Sequence, residues 1–476
     1  MPVTIGVDIG TTAVKAVAAD DDGNVVASVR VDHEVAVPEP GVLEHHAATA
    51  WRDDVRRAAT EVAEAAVALG HAVAAINVAA MVPSACAVDG SGVPISPGML
   101  YGDRRVTGGD SAANPSESGE LSRMVGWLAA HHPQAAGYWP AQAVASAALC
   151  GRGVIDPVLG YSASPLVGAS GWDPDAIASI GVRLDQLPEI VPGNEAAGVC
   201  SGEWAGVLAG VPVGSGTIDA FGEQLVAGAD HAGDVLLIMG ATLIIWAAVS
   251  EWVEAPGLWT IPHTARGLTL VGGPSNAGGM FHNWAARLFR SAGESDVDSV
   301  GDAGVDLDDV PVFLPYLRGE RTPLHDPYRR AEVHDLHVGH GPAAVWRGVH
   351  EASGFVVRRH LELAGLLAGG AGPDRSTRIV ATGGGSRDEE WVQAIADVTG
   401  LPVDCVAVPE GAALGTAYLA RVTAGLERHS GRAGSWARTG RRVDPDPAWT
   451  EATGPRFDRF QELTGPFGAA EEVLQT

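Results

Sequence analysis

The chain has 476 residues, enough for two domains of ordinary size, and 46% of them are hydrophobic, which is enough for two cores. It carries 58 acidic residues against 31 basic ones, giving a net charge of −27. That charge argues against nucleic acid or an anionic membrane as a partner, because both would be repelled. No apolar run is long enough for a membrane span, and the N-terminus does not resemble a secretion signal, so we expect a cytoplasmic protein.

The use of lysine, arginine and cysteine indicates the environment in which the protein works. Lys15 is the only lysine, and arginine supplies the remaining positive charge. An acidic chain with arginine in place of lysine resembles proteins of salt-accumulating organisms, so we expect a halophilic protein, with GC-rich codon usage as the alternative. The cysteines are scattered, without metal-ligand spacing, and we expect reduced packing residues rather than a zinc site.

The first predicted elements form a strand, a turn and a second strand. Thr4 to Asp8 reads as a strand, Gly10-Thr11-Thr12 as a turn, and Ala13 to Ala19 as the next strand. The same arrangement recurs around Gly240-Ala241-Thr242, between apolar strands at 235–239 and 243–249. This repetition suggests duplicated domains, which we place at 1–230 and 231–476, with an α/β fold and mixed sheets.

Further elements follow from apolar spacing and turn residues. Helices are predicted at 48–69, 345–367, 389–399 and 412–423, and buried strands at 74–79 and 379–381. The tail after about Gly425 is polar, and we expect a surface linker with a weak terminal helix.

Two glycine-containing turns carry candidate chemistry. Asp8 at a strand end could hold Mg²⁺ through water, while Thr11, Thr12 and Lys15 could contact phosphate; an ordinary hairpin is the alternative. The turn at Gly240 is weak evidence alone but could act with the first turn on a polyphosphate.

Two further glycine-rich segments carry candidate catalytic or nucleotide-binding residues. Gly214 to Gly222 presents Asp219 at a predicted helix start, where it could orient an attacking hydroxyl or simply cap the helix. Gly383-Gly384-Gly385 follows a buried strand and could seat part of a nucleotide.

Taken in order, these segments resemble the FGGY carbohydrate kinases, from about residue 3 to residue 423. The resemblance is carried by six segments: Gly6 to Thr12, Met99 to Arg105, the Gly-x-x-Asp segment ending at Asp219, Leu236 to Thr242, Phe313 to Pro323, and Thr382 through Asp397. It implies two actin-like ATPase (ribonuclease H-like) domains with an interdomain cleft, the N-terminal one binding sugar and the C-terminal one binding nucleotide.

The resemblance also implies residue roles. Asp219 matches the catalytic base, Asp8 the Mg²⁺ residue, and Thr11 and Thr12 the contacts to the γ-phosphate of ATP. The positions that match nucleotide contacts are Gly240, Ala241, Thr242, Gly279, Asn283, Gly384, Gly385 and Asp388.

The sugar-reading segment departs from the family pattern. It lacks the Arg and Glu typical of glycerol kinases and the His typical of xylulokinases, although Met81 matches the latter. Met81, Val82, Asp103 and Asp219 are the candidate substrate residues, and a salt bridge from Asp103 to Arg104 or Arg105 is an equal alternative.

The resemblance therefore predicts an ATP-dependent kinase for a small sugar or polyol, with a pentulose such as xylulose as the best candidate. Ribulose, gluconate and glycerol are alternative substrates. Because Ala241 removes a hydroxyl from the second phosphate turn, a non-catalytic nucleotide-binding regulator is the alternative from another class. Relatives suggest that a homodimer is possible.

Overall fold

The computed structural model describes residues 1–106, 119–168, 171–193, 195–263, 268–291, 304–367, 378–408 and 410–465. Contacts divide the chain into two compact units: one comprises Met1–Val226 and Glu410–Ala437, the other Ala227–Pro409 and Arg438–Thr476.

Strands and helices alternate along both units. The strands are β1 Pro2–Ile9, β2 Ala13–Ala19, β3 Val25–Asp32, β4 Glu44–His45, β5 Ala72–Ala80, β6 Ser84–Val88, β7 Gly98–Leu100, β8 Gly137–Trp139, β9 Val154–Ile155, β10 Val167–Gly168, β11 Gly171–Trp172, β12 Glu189–Ile190, β13 Ala196–Val199, β14 Pro212–Gly214, β15 Thr217–Ile218, β16 Asp234–Met239, β17 Leu243–Val249, β18 Trp259–Pro262, β19 Thr269–Ser275, β20 Val312–Leu314, β21 Glu332–His334, β22 Arg378–Thr382, β23 Val403–Val406 and β24 Thr439–Val443.

The helices are α1 Asp54–Ala68, α2 Glu120–His131, α3 Ala141–Cys150, α4 Pro157–Ser162, α5 Pro174–Ser179, α6 Asp219–Ala227, α7 Gly279–Ser291, α8 Pro342–Leu363, α9 Glu389–Thr399, α10 Gly411–Thr423 and α11 Pro447–Thr464. No helix in the described ranges is both long and apolar enough to cross a lipid bilayer.

A mixed sheet organises the first unit. Its order is β13, β14, β5, β1, β2, β3, with β15 also paired to β5. Strand β1 runs antiparallel to β2 and parallel to β5. Every residue of β1 after Pro2 is buried, as expected for a strand covered on both faces. Its valines and isoleucines share one core with α1 and α3.

The second unit repeats this plan with a second mixed sheet. The order is β18, β19, β17, β16, β22, β23, β24. Strand β16 runs antiparallel to β17 and parallel to β22, which matches the relation of β1 to β2 and β5. Residues of α8, α9 and α11 complete the core of this unit. The strand–turn–strand repetition predicted from sequence is therefore present in both sheets.

The described units differ from a simple division at residue 230. Helix α10 lies in the second half of the sequence, yet it packs on β1 and belongs to the first unit. The reason is steric: Gly6 of β1 has no side chain, so the backbone of α10 at Ala413 and Ala417 can approach it closely.

Most predicted helices and strands are present, with shifted ends. Helix α9 has the predicted bounds, α10 begins one residue earlier than predicted, and α8 covers residues 342–363 instead of 345–367. The predicted helix at 48–69 is a π-helical turn at Thr49–Asp53 followed by α1, and Gly70 after it has a φ of 82°. That left-handed conformation is the one expected of a glycine at a helix C-terminus.

The tail contains the predicted terminal helix, but the predicted surface linker is wrong. Residues 439–443 form the edge strand β24, and α11 runs for 18 residues. Phe457 and Phe460 of α11 are buried in the second core. The tail is therefore part of the domain, although Pro455 and few apolar residues weaken its helical pattern.

Candidate active site

Two carboxylates lie at one edge of the first sheet. Asp8 and Ala79 are paired across β1 and β5, and Ile218 and Ala80 are paired across β15 and β5. Asp219 follows Ile218 directly and begins α6. Strands β1, β5 and β15 are parallel, so Asp8, near the carboxyl end of β1, and Asp219, just after β15, lie at the same end of strands two places apart. At the usual strand spacing, these strands are about 10 Å apart.

The carboxyl groups of Asp8 and Asp219 interact electrostatically. Burial raises the pKa of Asp8 to about 6, and the charge of Lys15 lowers it in part. Burial, followed by the charge of Asp8, raises the pKa of Asp219 to about 7. Part of Asp219 reaches solvent, but its carboxyl group is surrounded by protein atoms. Two carboxyl groups in one enclosed place resist simultaneous ionisation.

The turn between β1 and β2 lies beside Asp8. Lys15 is paired with Asp8 across the two strands. Thr11 is half-buried and Thr12 is exposed, and the hydroxyl of Thr11 lies 3.0 Å from the hydroxyl of Tyr101. The structure thus brings Asp8, Thr11, Thr12 and Lys15 together at one strand–turn–strand junction.

Two buried amides hold the strand segment that leads to Asp219. Asn77 Oδ1 accepts the N–H of Gly216 at 2.9 Å. Gln142 Nε2 donates to the carbonyl oxygens of Ala80, at 3.0 Å, and Thr217, at 3.1 Å. Sequence reasoning missed both amides, since their role depends on strand order and not on a local motif.

The candidate substrate residues 81 and 82 follow β5 at the same edge. Met81 is 2% exposed and belongs to the apolar core, with its N–H bonded to the carbonyl of Ile9. Val82 is half-buried and, like Ile218, packs against a small apolar cluster that includes Leu159. Of the pair, Val82 is the one with accessible surface.

Asp103 is paired with an arginine. The Asp103 side chain is fully buried, and its two oxygens accept four hydrogen bonds, three of them from the backbone and guanidinium of Arg105 and one from the N–H of Leu43. Arg105 also pairs with Glu44 at 2.7 Å and lies over the ring of Trp127. Of the two sequence alternatives, the salt bridge is the one present, and its partner is Arg105.

In the second unit, the turn after β16 contacts the start of α7. The carbonyl oxygens of Gly240 and Ala241 accept the N–H groups of Gly279 and Met280, at 2.9 and 3.0 Å. A β-carbon on Gly279 would lie 2.8 Å from Gly240 O, so glycine permits this approach. These N–H groups are occupied, and the α7 N-terminus does not present them to an anion.

The neighbouring turn after β22 lies at the same sheet edge. Gly383 has a φ of 85°, and a β-carbon there would lie 2.8 Å from Met239 O. Gly385 packs against Met239 and the ring of Trp391, whereas Gly384 is exposed and has open space around its α-carbon. This open, exposed backbone is where a ligand could approach closely.

Asp388 and Asn283, two further candidate nucleotide residues of this unit, lie near the N-termini of helices. Asp388 caps α9, because its Oδ1 accepts the N–H of Trp391 at 3.0 Å. Asn283 is exposed on the first turns of α7.

Hydrogen bonds attach the segment 319–323 to a neighbouring strand of this unit. Glu320 accepts hydrogen bonds from the Ser275 hydroxyl and from the N–H groups of Asn276 and Arg321. Thr322 donates its hydroxyl to the carbonyl of Pro274 at 2.8 Å. These bonds join the segment to the end of β19, just before α7.

A surface group of Asp309, His337 and His340 places three potential metal ligands close together. Each histidine Nδ1 accepts a backbone N–H, so each Nε2 carries a proton and donates to Asp309, at 2.9 and 3.0 Å. These two hydrogen bonds, the His337 bond first, lower the pKa of Asp309. The Nδ1 lone pairs are engaged by backbone N–H groups and the Nε2 atoms carry hydrogen, so this group is a hydrogen-bonded surface cluster.

Comparison with family models gives two matches. The N-terminal domain of the FGGY family of carbohydrate kinases matches residues 3–112, and the C-terminal domain of the same family matches residues 236–424.

Whole proteins of known name are also similar. The xylulose kinase of Escherichia coli (strain K12) is 26% identical over 462 residues, covering 89% of this chain and 90% of the relative. The gluconokinase of Bacillus subtilis (strain 168) is 25% identical over 436 residues, covering 83% and 82%. The crystal structure of xylulose kinase from Rhodospirillum rubrum has a TM-score of 0.79 and 27% identity, covering 97% of this chain and 98% of the other.

Proposed function

Because the chain belongs to the FGGY family of carbohydrate kinases, which transfer phosphate from ATP to sugars, we propose that its acceptor is a pentulose such as xylulose. Relatives named xylulose kinase and gluconokinase have nearly equal identity to this chain, so identity alone does not choose between them. The observation that carries the catalytic proposal is the placement of Asp8 and Asp219 at one edge of the first sheet.

Asp219 is the proposed catalytic base. It orients the sugar hydroxyl for attack on the γ-phosphate and accepts the hydroxyl proton as the new P–O bond forms. A pKa of about 7 suits this role, because such a carboxylate is ionised for much of the time at neutral pH yet binds a proton readily. The amides of Asn77 and Gln142 support the segment that carries Asp219, and so hold its position.

Asp8 fits a role as a magnesium residue. Its Oδ1 is buried and has no hydrogen-bond partner among the described residues, which leaves an unsatisfied carboxylate oxygen of the kind that Mg²⁺ binds. Asp219 would be the nearby second carboxylate. When bound, Mg²⁺ supplies positive charge that offsets the negative charge of the phosphates.

Backbone and side-chain donors are proposed to bind ATP. Thr11, Thr12 and Lys15 would contact the γ-phosphate from the first unit. The second unit would contribute Gly240, Ala241, Thr242, Gly279, Asn283, Gly384, Gly385 and Asp388. Open space at Gly384 supports its role. Asp388 caps α9 and the N–H of Gly279 is bonded to Gly240, so we assign these two residues smaller contributions.

The substrate preference rests on the segment after β5. Neither Met81 nor Val82 carries a charge, so this segment provides no ionic partner for the carboxylate of gluconate, and a neutral pentulose is favoured. Because the oxygens of Asp103 are occupied by Arg105 and Leu43, we propose that Asp103 shapes the sugar pocket through Arg105 rather than by direct contact.

A substrate panel tests this function. Xylulose, ribulose, gluconate and glycerol would each be incubated with ATP and Mg²⁺, in dilute and in multi-molar KCl, and ADP release measured. We expect the highest kcat/KM with xylulose or ribulose. A preference for gluconate or glycerol would contradict the pentulose assignment, and no turnover on any sugar at any salt concentration would favour a non-catalytic regulator.

A further inference from the structure

Two histidines bind the carbonyl side of the turn between β1 and β2. His33 Nε2 lies 3.0 Å from the carbonyl oxygen of Gly10, and His45 Nε2 lies 2.9 Å from that of Thr11. The backbone N–H of His33 also donates to the carbonyl of Thr12 at 3.0 Å. Three successive carbonyl oxygens of the turn therefore accept hydrogen bonds, two of them from imidazole rings.

The protonation of His45 follows from its partners. Trp51 Nε1 lies 3.0 Å from His45 Nδ1, and an indole N–H can only donate. His45 Nδ1 is therefore unprotonated, and Nε2 carries the hydrogen that is donated to Thr11 O. Burial lowers the pKa of His45 to about 4, so the ring stays neutral at pH 7. The tautomer is thereby determined by Trp51.

His33 is oriented from a different element. A carbonyl oxygen only accepts, so His33 Nε2–H donates to Gly10, and its Nδ1 lies 3.6 Å from Asp54 Oδ2 at the start of α1. The two imidazole rings are in contact, with centroids 4.6 Å apart. Both hydrogen bonds thus approach the turn from the same side.

The carbonyl contacts determine where the turn's N–H groups point. In a trans peptide, the N–H points away from the carbonyl of the preceding residue. Holding the carbonyls of Gly10 and Thr11 toward the imidazoles directs the N–H groups of Thr11 and Thr12 to the opposite side. No acceptor for either N–H is found in the part of the chain that the structure describes. Successive free N–H groups of this kind form an anion-binding concavity.

We propose that His33 and His45 are positioning residues that orient the peptide groups of Gly10, Thr11 and Thr12 for binding the γ-phosphate of ATP. The inference rests on the proposed function, in which this turn contacts the terminal phosphate. It assigns the histidines no contact with substrate: they act through the backbone, which would otherwise rotate when the phosphate is absent and lose orientation entropy on binding.

The test compares a variant that removes the donor with one that restores it. His45→Leu removes the hydrogen bond to Thr11, whereas His45→Gln can still donate through its N–H and accept from Trp51 through its carbonyl oxygen. Affinities for ATP and ADP would be measured by calorimetry with Mg²⁺. We expect His45→Leu to weaken ATP binding by about tenfold and ADP binding by less than about twofold, since ADP lacks the γ-phosphate. His45→Gln should restore most of the ATP affinity.

A second pair and a control separate positioning from folding. His33→Leu and His33→Gln should show the same contrast. His263 also lies with its Nε2 near a carbonyl, that of Ala229 at 2.9 Å, but in the second unit. His263→Leu should leave the ratio of ATP to ADP affinity unchanged, and melting temperatures would be recorded for all variants.

The outcomes are distinct. Wild-type protein that binds neither nucleotide would overturn the proposed function and the inference with it. If wild-type protein binds both but the Leu and Gln variants change the affinity ratio equally, or not at all, the positioning role is wrong while the kinase proposal stands. If His45→Leu fails to fold, the His33 pair decides.

Discussion

Asp219 lies where burial and the charge of Asp8 both oppose its ionisation. Its pKa of about 7 therefore exceeds the ordinary value of 3.8, and the folded chain binds this proton more tightly than the unfolded chain. The resulting cost to the folded state is absent below pH 4, grows as pH rises, and is complete above pH 7. A buried carboxylate of this kind lowers the stability of the folded state, as residues at functional sites often do.

Asp219→Asn should consequently stabilise the ligand-free protein. The amide keeps the acceptor for the N–H of Ala220 and removes the charge. We expect a melting temperature higher by about 2–4 °C at pH 8, with the gain shrinking as pH falls toward 4. Scanning calorimetry across this range measures it. A gain independent of pH, or a lower melting temperature at pH 8, would contradict the pKa assignment.

At this scale the sequence indicated some candidate side chains and left others open. Asp8, Thr11, Thr12, Lys15 and Asp219 are adjacent to turns or strand ends, where local chemistry and family resemblance both point to them. The partner of Asp103 stayed open, because the choice of Arg105 over Arg104 depends on which arginine side chain lies over Trp127.

The sequence did not indicate the carbonyl-binding role of His33 and His45. They lie 23 and 34 residues from the carbonyls they bind, and nothing in their spacing indicates that β3 and β4 bring them to one turn.

Single elements are joined by close backbone contacts. A β-carbon built on Gly6 of β1 would lie 1.9 Å from the carbonyl oxygen of Ala413 and 2.4 Å from the N–H nitrogen of Ala417, both in α10. Backbone atoms cannot yield as a flexible side chain can, so the strand and helix must separate to admit even a methyl group. Gly222 of α6 meets α10 in the same manner, at Ala412.

Gly6→Ala should therefore destabilise the first unit strongly. We expect a loss of about 3 kcal/mol or more in the free energy of unfolding, measured by denaturant titration. Gly90→Ala is the matched control, since Gly90 has open space and no positive φ, and its effect should be under about 0.5 kcal/mol. If both variants unfold at the same denaturant concentration, the contact between β1 and α10 is looser than described.

Element prediction succeeded where the pattern is local. Helices α9 and α10 and the strands flanking both glycine turns follow from apolar spacing and turn residues. The edge strand β24 was missed, because an edge strand that contains two arginines has no apolar alternation. The terminal helix α11 was predicted, but only as a weak helix after a surface linker. The sequence also did not predict that α10 belongs to the first unit. That membership depends on the small volume of Gly6 and not on residues of the helix itself.

For the molecule as a whole, the dominant physical property is its charge of −27. Repulsion among so many carboxylates opposes a compact state, and salt screens it with a Debye length that falls from about 10 Å at 0.1 M to about 3 Å at 1 M. Arginine ion pairs offset part of this repulsion: Arg378, for example, contacts both Asp234 and Asp404.

Stability should therefore rise with salt. Between 0.1 and 2 M KCl we expect the melting temperature to increase by about 5 °C or more, because screened repulsion outweighs the weakening of surface ion pairs. NaCl at equal ionic strength should act similarly. A melting temperature that falls or stays constant would contradict this, and would favour codon usage over salt adaptation as the origin of the composition.

The central claim, that Asp219 directs phosphoryl transfer from ATP to a sugar hydroxyl, is tested most directly by phosphorus NMR. Wild-type protein and Asp219→Asn would be incubated with Mg²⁺, ATP and xylulose, and the appearance of a sugar phosphate ester followed. We expect the ester to form with wild-type protein and at a rate lower by about 10²–10⁴ with Asp219→Asn, at unchanged ATP affinity. Equal rates for the two proteins would contradict the claim.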